Sequence, residues 1–204
     1  MQRLSRDAIV ASTLALIDEH GVDAVSMRAV AARLDCEAMS LYRHVSDKAH
    51  LLELVGQRIV QEIRVPDPHQ GPWADSLCEL LRELRRVALE HPAAFQLISR
   101  GPISALGPAP LEAGMRALAR SGLDDQAAAS TLCVLLAYTT GAIANELAAN
   151  ALGGPLARAS DGTDERWDDA PHARSFLATM EQTSYEEEFD AGLRLVVHGL
   201  DKPR

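Results

Sequence analysis

The stretch LDCEAMSLYRHV, Leu34–Val45, decides how the chain is read. It sets Met39, Ser40, Tyr42, Arg43 and His44 almost side by side, between a tight turn and the polar break Ser46-Asp47. A helix from Glu37 to His44 is too short to stand alone, because helix nucleation is costly in water. Neighbours must hold it. At about 100° per residue, Ala38, Leu41 and Val45 share a face that can pack on Ile17, Val30 and Leu34. The opposite face presents Met39, Ser40 and Arg43, flanked by Tyr42 and His44. Asp35 occupies the tight position of the preceding turn, and Asp tolerates left-handed backbone better than most residues. Two short helices across such a turn match a helix-turn-helix, whose second helix enters a DNA major groove. A plain helical hairpin with a polar solvent face has the same periodicity, so periodicity alone leaves both readings open.

Outward from this stretch the pattern is helical nearly everywhere, and the expected fold class is all-α. Ser5 caps a first helix, with Val10, Leu14 and Ile17 on one face and Gly21 at its end. Ser26 caps a second, and Ser46 a fourth that runs from Asp47 to about Ile63. VPDPHQGPW, Val65–Trp73, carries three prolines and a glycine, which break any helix. It divides the chain into a head, residues 1–64, and a body, residues 65–204. In the body, Trp73–His91 reads as a helix stopped by Pro92. A Gly- and Pro-rich break follows at Gly101–Pro110, then a helix closing at Gly122. Asp124–Asn150 is apolar nearly all round, so it must be covered on more than one side. Gly153–Ala173 reads as a polar loop. Ser184 and Glu187 have capping-box spacing ahead of a last helix, with Phe189, Leu193, Val196, Val197 and Leu200 as its stripe.

The 204 residues carry a formal charge of -9, which superficially argues against a nucleic-acid partner. The acidity is not uniform. The head has 8 Lys+Arg against 9 Asp+Glu, and the body has 12 against 20. Lys48 and Lys202 are the only lysines, so the cations are mostly forked guanidiniums, suited to phosphate and guanine edges. Cys36, Cys78 and Cys133 are too few and too scattered for a disulfide framework or a zinc site. Cys78 and Cys133 are expected as small buried hydrophobes. The sequence shows no unbroken apolar run of membrane length and no leader at Met1, so a soluble cytoplasmic protein is expected.

The residues SMRAVAARLDCEAMSLYRHVSDKAHLLELV resemble the DNA-binding head of the tetracycline-repressor (TetR) family of transcription regulators. The resemblance starts at RLSRDAIVASTLALIDEHGVDAVSMR. It rests on a helix ending in His-Gly, the A-x-x-L second helix, S-L-Y-x-H-V, and a lysine two residues after Ser46. FDAGLRLVVHGLDKP, from Phe189, looks like the last helix of the tetracycline-repressor subgroup, which forms half of a dimer interface. The resemblance implies a ligand-responsive regulator, a repressor in most relatives. It implies that Ser26, Met27 and Arg28 open the second helix over a phosphate, with Arg28 reading a guanine-type base. Ala38, Met39, Ser40, Tyr42 and His44 are the recognition-helix positions. Arg43 adds to the outward face, and Lys48 holds a phosphate. The chemistry fits independently: Arg binds guanine O6 and N7 bidentately, an apolar group meets the thymine methyl, and helix N-termini and Lys favour phosphate. Relatives often carry an amide at the position of Ala38 and a proline at that of Met39. Both are apolar here, so a different operator sequence is expected.

A head of this kind implies palindromic double-stranded DNA and a homodimer with recognition helices about 34–36 Å apart. The Asp124–Asn150 and Ser184–Leu200 helices are the expected intersubunit bundle. A small effector is expected in the body, lined by Leu80, Leu84, Phe95, Ile98, Met115 and Tyr138, with Arg100 and Asn145 as polar handles. In tetracycline-binding relatives imidazole and carboxylate groups hold a magnesium–drug chelate; those places here align with Ile98, Ala137 and Asn145. No metal, no cofactor and a largely apolar effector are therefore expected. The rival readings are a small helical enzyme and a helical protein-binding module. G-x-S-x-G, H-E-x-x-H and a G-K-[ST] phosphate loop are all absent from the sequence, and no catalytic residue is expected.

Overall fold

The computed structural model describes residues 4–67, 71–99, 101–151 and 169–200, and among them there is no strand. Helix α1, Arg6–His20, starts where the Ser5 hydroxyl accepts from the Ala8 amide at 3.2 Å, and it stops at Gly21, whose φ is 80°. Its Ile9 and Ile17 are fully buried. A 3-10 turn, Val22–Ala24, leads to α2, Met27–Arg33, where the Ser26 hydroxyl accepts from the Ala29 amide at 3.1 Å. Asp35 then takes φ 50°, the left-handed conformation expected of it. That reversal lets the Cys36 amide donate to the Ala31 carbonyl at 3.0 Å and closes α2.

Helix α3 is regular only over Ala38–Leu41, shorter than the Glu37–His44 span. Beyond it the His44 and Val45 amides both return to the Leu41 carbonyl, at 2.9 and 3.1 Å, so the chain leaves the helix in a tight turn. Helix α4, Lys48–Val60, is capped by Asp47 and not by Ser46. The Asp47 carboxylate accepts from the His50 amide at 2.8 Å, and the Ser46 hydroxyl lies 3.0 Å from His50 Nδ1. Leu51, Val55 and Ile59 of α4 are completely buried.

In the body, α5 spans Trp73–Glu90, and Pro92 ends it as expected. Pro92 also opens a helix that the sequence did not announce, α6, Pro92–Ser99, because a proline at the first helical position loses no hydrogen bond. The His91 carbonyl accepts from the Ala94 and Phe95 amides and so starts α6. Helix α6 packs on both α1 and α4, which makes it the bridge between head and body. The Gly101–Pro110 break holds a 3-10 turn, Ile103–Leu106, and already contains the start of α7, Pro108–Ala119. Helix α8 follows at Asp125–Ala151, then α9 at Pro171–Gln182 and α10 at Tyr185–Leu200. Helix α9 was not foreseen, and most of the Gly153–Ala173 loop lies outside the described residues. The Ser184–Glu187 capping box forms in both directions: the Glu187 amide donates to Ser184 Oγ at 3.2 Å, and the Ser184 amide to Glu187 Oε2 at 2.9 Å.

One continuous apolar core runs from Ile9 in α1 to Val197 in α10. Helix α8 is long and apolar enough, by composition, to cross a membrane, but here it packs on α5, α7 and α10 through Leu132, Leu135 and Ile143. Its other side is left uncovered by the described residues, with Val134 55% exposed and Cys133 beside it. Cys133 is therefore not the buried hydrophobe expected, although Cys78 is buried. Leu195 of α10 is 77% exposed.

Helices α8 and α10 meet where Tyr138 stacks on Phe189, ring centroids 5.9 Å apart, and its hydroxyl lies 3.1 Å from the Glu188 and Phe189 carbonyls. The ring lies over Gly192, where an added Cβ would run into the Tyr138 ring and hydroxyl. We expect Gly192→Ala to destabilise the fold by about 1–3 kcal/mol, as overpacking does, read as a lowered urea midpoint with an unchanged m-value.

Candidate DNA-reading surface and effector cavity

The reading helix is anchored from beneath. Leu41 is completely buried and Val45 nearly so, which leaves Met39 72% and Tyr42 46% exposed. Ser40 and His44 are half-buried, and Arg43 is exposed. The His44 carbonyl accepts from Arg6 Nε at 3.2 Å, so α1 steadies the end of the reading turn. Two positions reach the surface less than the others do. Ala38 is half-buried and packs partly against the core, as its helical face demands. Met27 is buried in the head core, so only its backbone at the start of α2 can approach a phosphate. Ser26 spends its hydroxyl on the Ala29 amide, and Arg28 beside it is exposed.

Charge pairing marks out the reading surface. Among the described residues Arg28, Arg43 and Lys48 pair with no carboxylate. Arg33, on the far end of α2, is paired with Glu19. In the body Arg82 holds Asp190 at 2.8 Å, Arg86 holds Glu83 and Glu90, and Arg116 holds Glu112 at 2.6 Å. The Arg82 guanidinium pKa is raised, chiefly by its hydrogen bond to Asp190. Unpaired cations thus stand on α2, the reading turn and the first residue of α4. That is where phosphates would be met, with no internal anion to displace.

The expected effector lining does not enclose one cavity. Leu80 and Leu84 close with Leu132 and Leu136 around only about 20 Å³. Leu84, Phe95 and Ile98 border a hollow of about 170 Å³ beside Cys133 and Thr140. Met115 is half-buried against the core and lines neither. Tyr138 and Asn145 belong to a different hollow of about 280 Å³, against Tyr185 and Phe189. Arg100 lies outside the described residues. The correction has a physical cause: apolar side chains from α5, α7 and α8 interdigitate and fill the space assigned to a ligand. A buried charged group of this region is Glu146, next to Asn145. It is gripped by Arg85 at 2.8 and 2.6 Å, and the Arg85 guanidinium lies over the Phe189 ring.

A much larger hollow, about 910 Å³, lies instead in the wedge between α4 and the α6–α7 connection. Leu52, Gly56 and Val60 face it from α4, Leu97 and Ile98 from α6, and Pro102 and Ala105 from the turn, with Glu53, Gln57 and Ser104 as polar groups. That volume is of drug-binding size, in the range of about 300–1,000 Å³. Of the expected effector lining, Ile98 borders this wedge; sequence reading missed its other residues. The available signals were a glycine inside α4 and the Gly-Pro break, whose turn props the wedge open.

Comparison with known proteins fits this architecture. Residues 9–55 match the model of bacterial regulatory proteins of the tetR family, and residues 65–203 match that of the tetracyclin repressor-like C-terminal domain. The chain belongs to the TetR family. A curated relative, an HTH-type transcriptional regulator of Saccharopolyspora erythraea, is 41% identical over 118 residues, covering 58% of this chain and 46% of that protein. The HTH-type transcriptional repressor DrrR1 of Streptomyces coeruleorubidus is 32% identical over 148 residues, covering 71% and 54%. The chain thus spans about half the length of these two TetR-like relatives. Apo ActR from Streptomyces coelicolor superposes with a TM-score of 0.84 at 28% identity, covering 98% of this chain and 96% of ActR. ActR in complex with actinorhodin gives 0.82 at 28% identity, covering 97% and 96%.

The unpaired cations yield a paired expectation. Arg28→Ala should relax specificity at one base pair, at a cost of about 1–3 kcal/mol. Lys48→Ala should weaken binding to every sequence alike and lower the salt slope by about 1. Fluorescence anisotropy on an operator, its single-base variants and a salt series separates the two. An equal loss on all sequences for Arg28→Ala removes it as a base reader.

Proposed function

We propose that this TetR-family chain is a ligand-responsive, DNA-binding transcriptional regulator without catalytic activity. Residues 1–64 form its reading head and residues 65–204 its sensing and dimerising body. The observation that carries the reading is the set of unpaired cations, Arg28, Arg43 and Lys48, around exposed Met39 and Tyr42. Ser26, Met27 (by its backbone), Arg28, Met39, Ser40, Tyr42, Arg43, His44 and Lys48 make up the proposed DNA surface. A homodimer completes it. The uncovered sides of α8 and α10, with Val134 and Leu195 exposed, are its proposed contact, and the two heads then face the half-sites of a palindromic operator. Salt-dependent binding to the chain's own upstream DNA tests the reading, because phosphate contacts make affinity fall steeply with salt.

The effector site is proposed in the wedge beside α4. A molecule there touches α4, which carries the head, and α6, which carries the body. Among the described residues Glu53 is the charged side chain of its lining, so a neutral or cationic, largely apolar molecule fits. The relative ActR was solved with actinorhodin, which supports small-molecule sensing in this fold. Repression relieved by the effector is the proposed sign of control. By linkage, the effector weakens DNA binding only as much as DNA weakens effector binding.

In a thermal-shift screen of apolar compounds, Ala105→Phe should abolish the response by filling the wedge, while Asn145→Ala should preserve it. The reverse pattern would move the site to the hollow beside α10. Tetracycline with magnesium should give no tight binding by fluorescence titration, because Ile98, Ala137 and Asn145 supply no imidazole or carboxylate.

A further inference from the structure

His91 lies where three elements meet and is absorbed by neither the DNA surface nor the wedge. It follows α5, its carbonyl starts α6, and its ring, mostly buried, reaches both head helices. Nδ1 is 3.0 Å from an Asp18 carboxylate oxygen on α1, and Nε2 is 3.1 Å from a Glu62 carboxylate oxygen just past α4. A neutral imidazole has one N–H and one lone pair, so one of these carboxylates would face a lone pair. Only the imidazolium donates to both. We propose that His91 is a proton-operated latch: protonated, it ties α1 and the end of α4 to the α5–α6 corner, and deprotonated, it lets the head move on the body.

The surrounding charges agree with this reading. From α5, the Glu90 carboxylate comes within 4.8 Å of the His91 ring nitrogen and the Glu62 carboxylate, and Arg86 holds Glu90 at 2.7 Å. Arg86 also donates to the Glu62 carbonyl at 2.7 Å, and Arg58 of α4 lies 3.6 Å from the other Glu62 oxygen. Burial pulls the His91 pKa down. The hydrogen bonds to Asp18 and Glu62, with their charges, outweigh it and hold the pKa above the ordinary imidazole value. The latch therefore stabilises the fold fully below about pH 6.5, the unfolded value, and its contribution disappears as pH rises through the raised one. Helix α6, which His91 starts, also lines the wedge through Leu97 and Ile98. Proton and effector would then act on one element.

The test compares full-length wild type with His91→Gln at about pH 6 and about pH 9. The melting-temperature gap between them should be wide at the lower pH and closed at the higher. Asp18→Asn and Glu62→Gln should each move the His91 ring NMR titration to lower pH. Operator affinity of wild type should change severalfold more across this range than that of His91→Gln. A gap equal at both pH values, or a ring titration unmoved in both carboxylate variants, overturns the latch. An equal pH dependence of operator affinity in the two proteins overturns its regulatory role. The stability and NMR measurements contain no DNA, so they stand or fall independently of the regulator reading.

Discussion

The complete burial of Leu41 is the interaction on which the reading surface depends. A four-residue helix has no stability of its own. Leu41, with Val45 behind it, pins the element to a core built from Ile9, Ile17, Val30 and Leu51. Once it is pinned, helical geometry does the rest and turns Met39 and Tyr42 outward. The same α4 that supplies Leu51 to this core supplies Gly56 and Val60 to the wedge. Head position and body state are thus set through one helix that has little freedom to move independently of either.

Much of this was legible in the sequence because local chemistry dictated it. Ser5, Gly21, Ser26, Asp35 and the Ser184–Glu187 pair do what their side chains and backbone preferences require. The α4 cap slipped by one residue because Ser46 and Asp47 are both competent caps, and only the His50 amide chose between them. Helix α6 was hidden because a proline that ends one helix is equally suited to begin another.

The site was legible in proportion to how local it is. Exposure of Met39, Tyr42 and Arg43 followed from periodicity within a few residues. Family position placed Met27 at the DNA surface, yet tertiary packing buries its side chain. The effector lining failed for a stronger reason. Whether Leu80 and Leu84 border a cavity or fill it depends on Leu132 and Leu136, some fifty residues away. The wedge arises between elements and is written in no single segment.

The internal pairing of the body arginines has a consequence for how the molecule approaches DNA. With Arg82, Arg85, Arg86 and Arg116 each tied to a carboxylate, and acidic residues in excess over the rest of the body, that end of the protein presents a repulsive field to a polyanion. The head offers cations with no internal partner. An approaching duplex therefore meets a molecule with electrostatic polarity, which turns productive encounters toward the reading helix and rejects sideways ones. Such a protein would leave non-cognate DNA readily, because its most adhesive described surface is the one that also tests sequence.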